Sequence, residues 1–152
     1  MLDIYIDADA CPVKEETYRV ARRYGLRVLV VSNSPMRVPD ADWLEAVVLP
    51  KGFGQVDDWI ADHTHQGDIV ITADIPLADR CLQQGAEVLG PKGHAFTEDS
   101  IGAALATRAL QENLRQMGNI TGGPAAMTKQ DRSRFLSRLD ETINTIRRRS
   151  KI

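Results

Sequence analysis

The stretch Asp68-Ile69-Val70-Ile71-Thr72-Ala73-Asp74-Ile75-Pro76 decides the fold of this chain. Its apolar core, Ile69 to Ile71, does not alternate with polar residues, which is the pattern of a strand buried on both faces and therefore of a parallel sheet covered by helices. Pro76 then suits the first turn of a helix. Arg27 to Ser32 repeats the strand pattern, with Val28, Leu29, Val30 and Val31 in succession.

Outward from these two stretches, strands and helices alternate. A first strand is read at 2–7, broken by Ala10-Cys11-Pro12, and a helix follows from about Val13 to Tyr24 with Gly25 as its terminating residue. Asn33-Ser34-Pro35 and Arg37-Val38-Pro39 form a Pro-punctuated loop. A short helix or turn at Ala41 to Leu44 precedes a third strand at Ala46 to Leu49. A helix is expected from Gln55 to His65, closed by Gly67, then the fourth strand at Asp68 to Thr72, a helix from near Pro76 to Gly85, and a fifth strand at Ala86 to Leu89. Such alternation is the signature of βαβ units in an α/β fold. Beyond Gly93 the pattern is helical. Thr97 caps a helix over 101–117, Thr121-Gly122-Gly123-Pro124 interrupts it, and Thr128 with Asp131 forms a capping box for a last helix ending near Arg148.

With 152 residues, one domain and one core are expected. Apolar content of 43% with 26% charged residues excludes a disordered or fibrous chain. No apolar run is long enough to span a membrane, and the acidic N-terminus is unlike a signal peptide, so the expected address is the cytoplasm. Cys11 and Cys81 form no CxxC pair, which indicates neither a disulfide framework nor a zinc site. Nothing in the sequence fixes an oligomeric state. The net charge of −2 is uneven, since residues 128–152 hold eight Lys or Arg against three Asp or Glu. That tail suits either a polyanion partner beside an acidic body or a solvated helix whose last turn favours cations.

In open parallel sheets, sites form beyond the carboxyl ends of the strands. Asp7, Asp9, Asn33 and Asp74 all fall there, and Asp79 follows in the next helix. Asp7 and Asp9, at i and i+2 of an extended segment, share one face and read as metal ligands or their near neighbours. Carboxylate oxygens select hard cations, Mg²⁺ or Mn²⁺, which keep waters and take substrate phosphate oxygens as further ligands. Each acid taken singly is equally a helix N-cap. Asp57 and Asp58 either supply another ligand or complement a helix dipole. Asp68 belongs to the opposite edge of the sheet. Arg37 and Lys92, in loops near the site edge, are the candidates for phosphate contact. Cys11 follows two acids that oppose a thiolate and is read as structural. The three histidines, in no metal-binding spacing, belong to the surface. Gly122-Gly123 is a plain turn rather than an anion cradle.

Asp7-Ala8-Asp9-Ala10-Cys11-Pro12, Arg37-Val38-Pro39, Asp68 to Ala78 and Thr121-Gly122-Gly123-Pro124 together resemble the YaiI/YqxD family, also called UPF0178 or DUF188. The resemblance covers nearly the whole chain and implies a PIN-like three-layer α/β sandwich, with a mostly parallel sheet of about five strands and C-terminal helices. It divides the chain into a PIN-like domain at 1–117 and a C-terminal helical extension at 118–152 packed on the same domain. In PIN-like proteins, acids at the ends of the first and fourth strands and on an intervening helix bind Mg²⁺ or Mn²⁺. They match Asp7 or Asp9, Asp57 or Asp58, and Asp74, with Asp79 as a further candidate. The resemblance thus implies a metal-dependent nuclease acting on RNA or single-stranded nucleic acid, with Asp7, Asp9 and Asp74 placing metal and water. Two alternatives compete. One is a haloacid-dehalogenase-like phosphatase, with Asp7 as nucleophile and Asp9 as general acid/base, since Asp-x-Asp after a strand also suits that chemistry. The other is a non-catalytic RNA-associated module whose acids hold a structural ion.

Overall fold

A computed structural model describes residues 2–116 and 126–150. The chain forms β1 (Asp3–Asp7), α1 (Lys14–Tyr24), β2 (Arg27–Ser32), β3 (Leu44–Val48), α2 (Gln55–His63), β4 (Ile69–Ile71), α3 (Ile75–Gln83), β5 (Glu87–Leu89), β6 (Ala95–Phe96), α4 (Glu98–Gln116) and α5 (Lys129–Ser150). The six strands make one sheet in the order β3-β2-β1-β4-β5-β6, parallel except for the β5–β6 pair. The architecture is therefore α/β with a mostly parallel sheet.

The non-alternating strands explain the layers. The inner residues of β1 and β2, Ile4 to Ile6 and Val28 to Val31, and all of β4 are buried and without polar alternation, so each strand sends side chains into two separate cores. Ile4, Ile6, Val28, Val30, Ile69 and Ile71 meet α1 and α5 on one face. Tyr5, Leu29, Val31, Val70 and Val88 meet α2, α3 and the start of α4 on the other. A helix layer, a sheet and a second helix layer result. Phe135, Leu139 and Ile143, which recur at helical spacing along α5, are wholly buried in the first core.

Local signals set most boundaries. Gly25 ends α1 at φ 66°, a left-handed conformation that glycine adopts without Cβ strain. Thr128 and Asp131 exchange the two hydrogen bonds of a capping box, at 3.0 and 3.1 Å. Thr97 and Ser100 do the same for α4, which begins at Glu98, three residues earlier than expected. Two further differences are corrections. β3 starts at Leu44 instead of Ala46, because Val28 donates to the Trp43 carbonyl and draws that segment into the ladder. β6 was not expected at all, since two residues carry no periodicity. The expected turn at 121–124, the helix end at 117 and the boundary between 117 and 118 lie outside the described residues.

The order of strands positions the site. The chain builds from β1 outward to β3, then crosses to β4 on the other side of β1. Crossovers leaving in opposite directions open a crevice at the carboxyl ends of β1 and β4.

Candidate functional site

β1 and β4 are hydrogen-bonded neighbours in parallel register, Ile6 opposite Ile71, so the next residues, Asp7 and Thr72, leave the sheet side by side. The Thr72 hydroxyl donates to Asp7 Oδ2 at 2.8 Å and accepts the Asp74 N–H at 3.0 Å. One hydroxyl thus ties the ends of both strands. Asp74 caps α3, its Oδ1 accepting the Leu77 N–H at 2.9 Å. Among the described residues, the second carboxylate oxygen of Asp7 and of Asp74 takes no hydrogen bond. Both acids face a cleft of about 170 Å³, lined also by Cys11, Thr72, Ala73 and Pro91. That space is below the roughly 300–1,000 Å³ of a drug-sized ligand site. It suits an ion with its waters, or one phosphate group.

Burial, with the charges of Asp57, Asp74 and Asp9 added, pushes the Asp7 carboxyl up to about 6 against the opposing Thr72 hydrogen bond. Burial and the Asp74 charge likewise raise Asp57, against Arg80. α2 begins after Gly54, which places Asp57 on the side of Asp74 and turns Asp58 outward, where it pairs with Arg80 at 2.8 Å. The sequence left Asp57 and Asp58 open. Helix phase separates their surroundings by about 100° per residue.

Asp9 requires a correction. The i, i+2 geometry demands that the strand persist to residue 9, but β1 stops at Asp7 and Ala8–Ala10 is a 3₁₀ turn. Asp9 is exposed and accepts the Asn33 N–H at 3.1 and 3.4 Å, bracing the end of β1 against the end of β2. It does not line the cleft. The Asn33 amide reaches back to the Pro50 carbonyl at 3.2 Å. Arg37 is exposed in the loop after β2. Lys92 adjoins Pro91 at the cleft, and its charge acts on Asp131 at the start of α5. Asp79 accepts from Gln83 along α3 at 3.3 Å and does not line the cleft. The three histidines are exposed, and buried Asp68 holds the far edge by accepting the Asp3 and His65 N–H groups.

Two contributors carried no expectation from sequence. Thr72 lies in Thr72-Ala73-Asp74, a stretch that resembles the strand-four signature of PIN-like proteins and points to Asp74, while the role of its own hydroxyl is signalled by the habit of threonine bonding to backbone two residues on. Lys14 donates to the Ala8 and Cys11 carbonyls at 3.2 and 2.8 Å, which fastens the turn between Asp7 and α1. Burial raises the Cys11 thiol, so it stays protonated and helps wall the cleft.

The donors present are all carboxylates, the set hard divalent cations take. Among the described residues, no group of three or more His, Cys, Asp or Glu side chains is placed to hold a metal ion, so any ion here would rest on fewer protein ligands.

The basic tail is largely committed within the fold. Arg132 donates to the Pro12 carbonyl at 2.7 Å and pairs with Glu16, Arg149 pairs with Glu87, and Arg147 lies over the Tyr24 ring while donating to its carbonyl. Those contacts favour the solvated, dipole-complementing helix over a polyanion surface. No described helix is long and apolar enough to cross a membrane.

The family model described as "Uncharacterized BCR, YaiI/YqxD family" matches residues 5–145. A UPF0178 protein of Rhodospirillum centenum is 57% identical over 97% of this chain and 99% of its own length. One from Rhodopseudomonas palustris is 56% identical over 96% of this chain and 89% of its own. A third, from a Caulobacter species, is 54% identical over 97% and 98%. No solved structure matches the chain.

Proposed function

The chain belongs to the YaiI/YqxD (UPF0178) family, and from that premise we propose that it is a divalent-cation-dependent phosphodiesterase acting on RNA or single-stranded nucleic acid. The observation that carries this is the pair Asp7 and Asp74, tied through Thr72 and facing one cleft at the switch point of the sheet, where burial first and then the charges of Asp57, Asp74 and Asp9 push the Asp7 carboxyl up to about 6. Uncompensated acids in half-buried positions cost stability. A ligand cation would offset that cost.

Asp7 and Asp74 would hold Mg²⁺ or Mn²⁺ from the cleft, with Asp57 beside them. When bound, such an ion supplies Lewis acidity toward a phosphodiester and lowers the pKa of water. Thr72 orients Asp7 through its hydroxyl, and the α3 cap fixes Asp74. Asp9 acts at one remove, by holding the turn against Asn33. Lys92 follows the cleft residue Pro91 in sequence and would have to turn from Asp131 to reach a phosphate oxygen. In the reaction, water adds to phosphorus, one ester P–O bond breaks, and an alcohol and a phosphomonoester leave.

A phosphatase with Asp7 as nucleophile is less well supported. Its general acid/base would be Asp9, whose carboxylate is engaged by the Asn33 N–H and lies outside the cleft. The test is cleavage of end-labelled single-stranded RNA with Mg²⁺ or Mn²⁺ and with chelator. Wild type is expected to cleave only with metal, and Asp74→Asn to lose at least about 100-fold, a transition-state loss of about 2.7 kcal/mol. Asparagine keeps the α3 cap, so folding is preserved. Equal turnover by wild type and variant would assign the activity to a contaminant and overturn the proposal.

A further inference from the structure

Only two large apolar side chains stand exposed among the described residues, Val48 and Phe53. Val48 ends the edge strand β3. Phe53, at 106% relative exposure, gives its ring wholly to water. Burying a phenylalanine is favourable, so this ring forgoes a gain that the fold could have used.

The surroundings of the ring narrow what it serves. It sits in Lys51-Gly52-Phe53-Gly54, the loop joining β3 to α2 on the carboxyl side of the sheet. Gly54, at φ 76°, turns the chain into α2, and the Asp58 N–H returns to its carbonyl at 2.9 Å. The loop is therefore anchored to the first turn of the helix that carries Asp57. Four residues of chain cannot span more than about 14 Å, so Phe53 stays within that reach of Asp57 and on the acidic edge. Its exposed neighbours, Lys51, Gly52 and Gln55, are charged, polar or without a side chain. A protein interface needs about 800 Å² of surface from each partner and a well-packed core, which a solitary ring in polar surroundings does not offer. A flat π-surface beside a cation is instead what single-stranded nucleic-acid sites use: the ring stacks on a base, and the cation follows the backbone.

We propose that Phe53 is a stacking platform for an unpaired nucleobase, with Lys51 taking the adjoining phosphate, so that the strand is drawn across the edge formed by Asp57, Asp74 and Asp7. This rests on the nucleic-acid function proposed above and names what part of that substrate is gripped. Stacking is indifferent to base identity, so the grip prefers unpaired strands without selecting a sequence.

The test compares wild type, Phe53→Ala and Phe53→Trp for binding to a labelled short oligouridylate and to an abasic strand of the same length, in Mg²⁺, with melting temperature as the folding control. Phe53→Ala is expected to weaken oligouridylate binding by about 5- to 100-fold, as loss of one stacked base does. Phe53→Trp should retain the affinity, and the abasic strand should bind wild type and Phe53→Ala alike. Equal oligouridylate binding by wild type and Phe53→Ala would overturn the stacking role while leaving the phosphodiesterase standing. Failure of wild type to bind or cleave any single strand would overturn both.

Discussion

Asp7 is the residue on which structure and chemistry bear most directly. Its carboxyl is pushed to about 6 from an ordinary 3.8, by burial first and then by its acidic neighbours. The folded state thus binds the proton more tightly than the unfolded chain, so this group's contribution is fully present below about pH 4 and is lost as pH rises through 6. With chelator present, Asp7→Asn is expected to stabilise the protein at neutral pH by about 2–3 kcal/mol, and to make no difference near pH 4. Denaturant unfolding of both proteins at the two pH values checks this, and a difference independent of pH would contradict it. Asp9 teaches the opposite lesson. Its sequence position two residues from Asp7 implied a shared face, but face-sharing at i, i+2 belongs to strands, and Ala8–Ala10 has already turned. Asp57 and Asp58 were inseparable for a related reason. Only the start of α2 after Gly54 fixes which of two adjacent helical residues feels the Asp74 charge and which pairs with Arg80.

Elements were legible where burial dictates composition. β2 and β4 declare themselves through uninterrupted apolar runs, mostly β-branched, that no half-exposed strand would carry. α5 shows its inner face through Phe135, Leu139 and Ile143. The edges were less legible, since β3 and β6 have one neighbour each and less to bury. What the sequence concealed is how firmly α5 is seated. Gly93, in the β5–β6 loop at φ 90°, lies so close to α5 that a Cβ there would come within 2.7 Å of the Arg134 backbone. Arg132 meanwhile bonds to Pro12, next to the turn carrying Asp9. Phe135→Ala is therefore expected to cost about 3–5 kcal/mol, and to lower one cooperative transition of the whole chain. Calorimetry resolving two transitions, with only the smaller one shifted, would instead describe a separately folding extension.

At the scale of the molecule, the strand order brings together residues far apart in sequence. Asp7 and Asp74 come to one cleft because β1 and β4 are neighbours at the middle of the sheet, with chain departing on both sides of β1. The basic C-terminal residues, which in sequence form a block of charge, are dispersed by folding into partners for Glu16, Glu87 and Tyr24. The acidic edge has no such dispersal. Asp7 and Asp74 keep one carboxylate oxygen each without a hydrogen bond among the described residues, and cation binding there is the step on which the proposed function depends. Isothermal titration with Mn²⁺ measures it directly. The account predicts saturable binding to wild type, weakened at least about tenfold by Asp7→Asn and by Asp74→Asn in proteins that remain folded. Identical heats from wild type and both variants would contradict it.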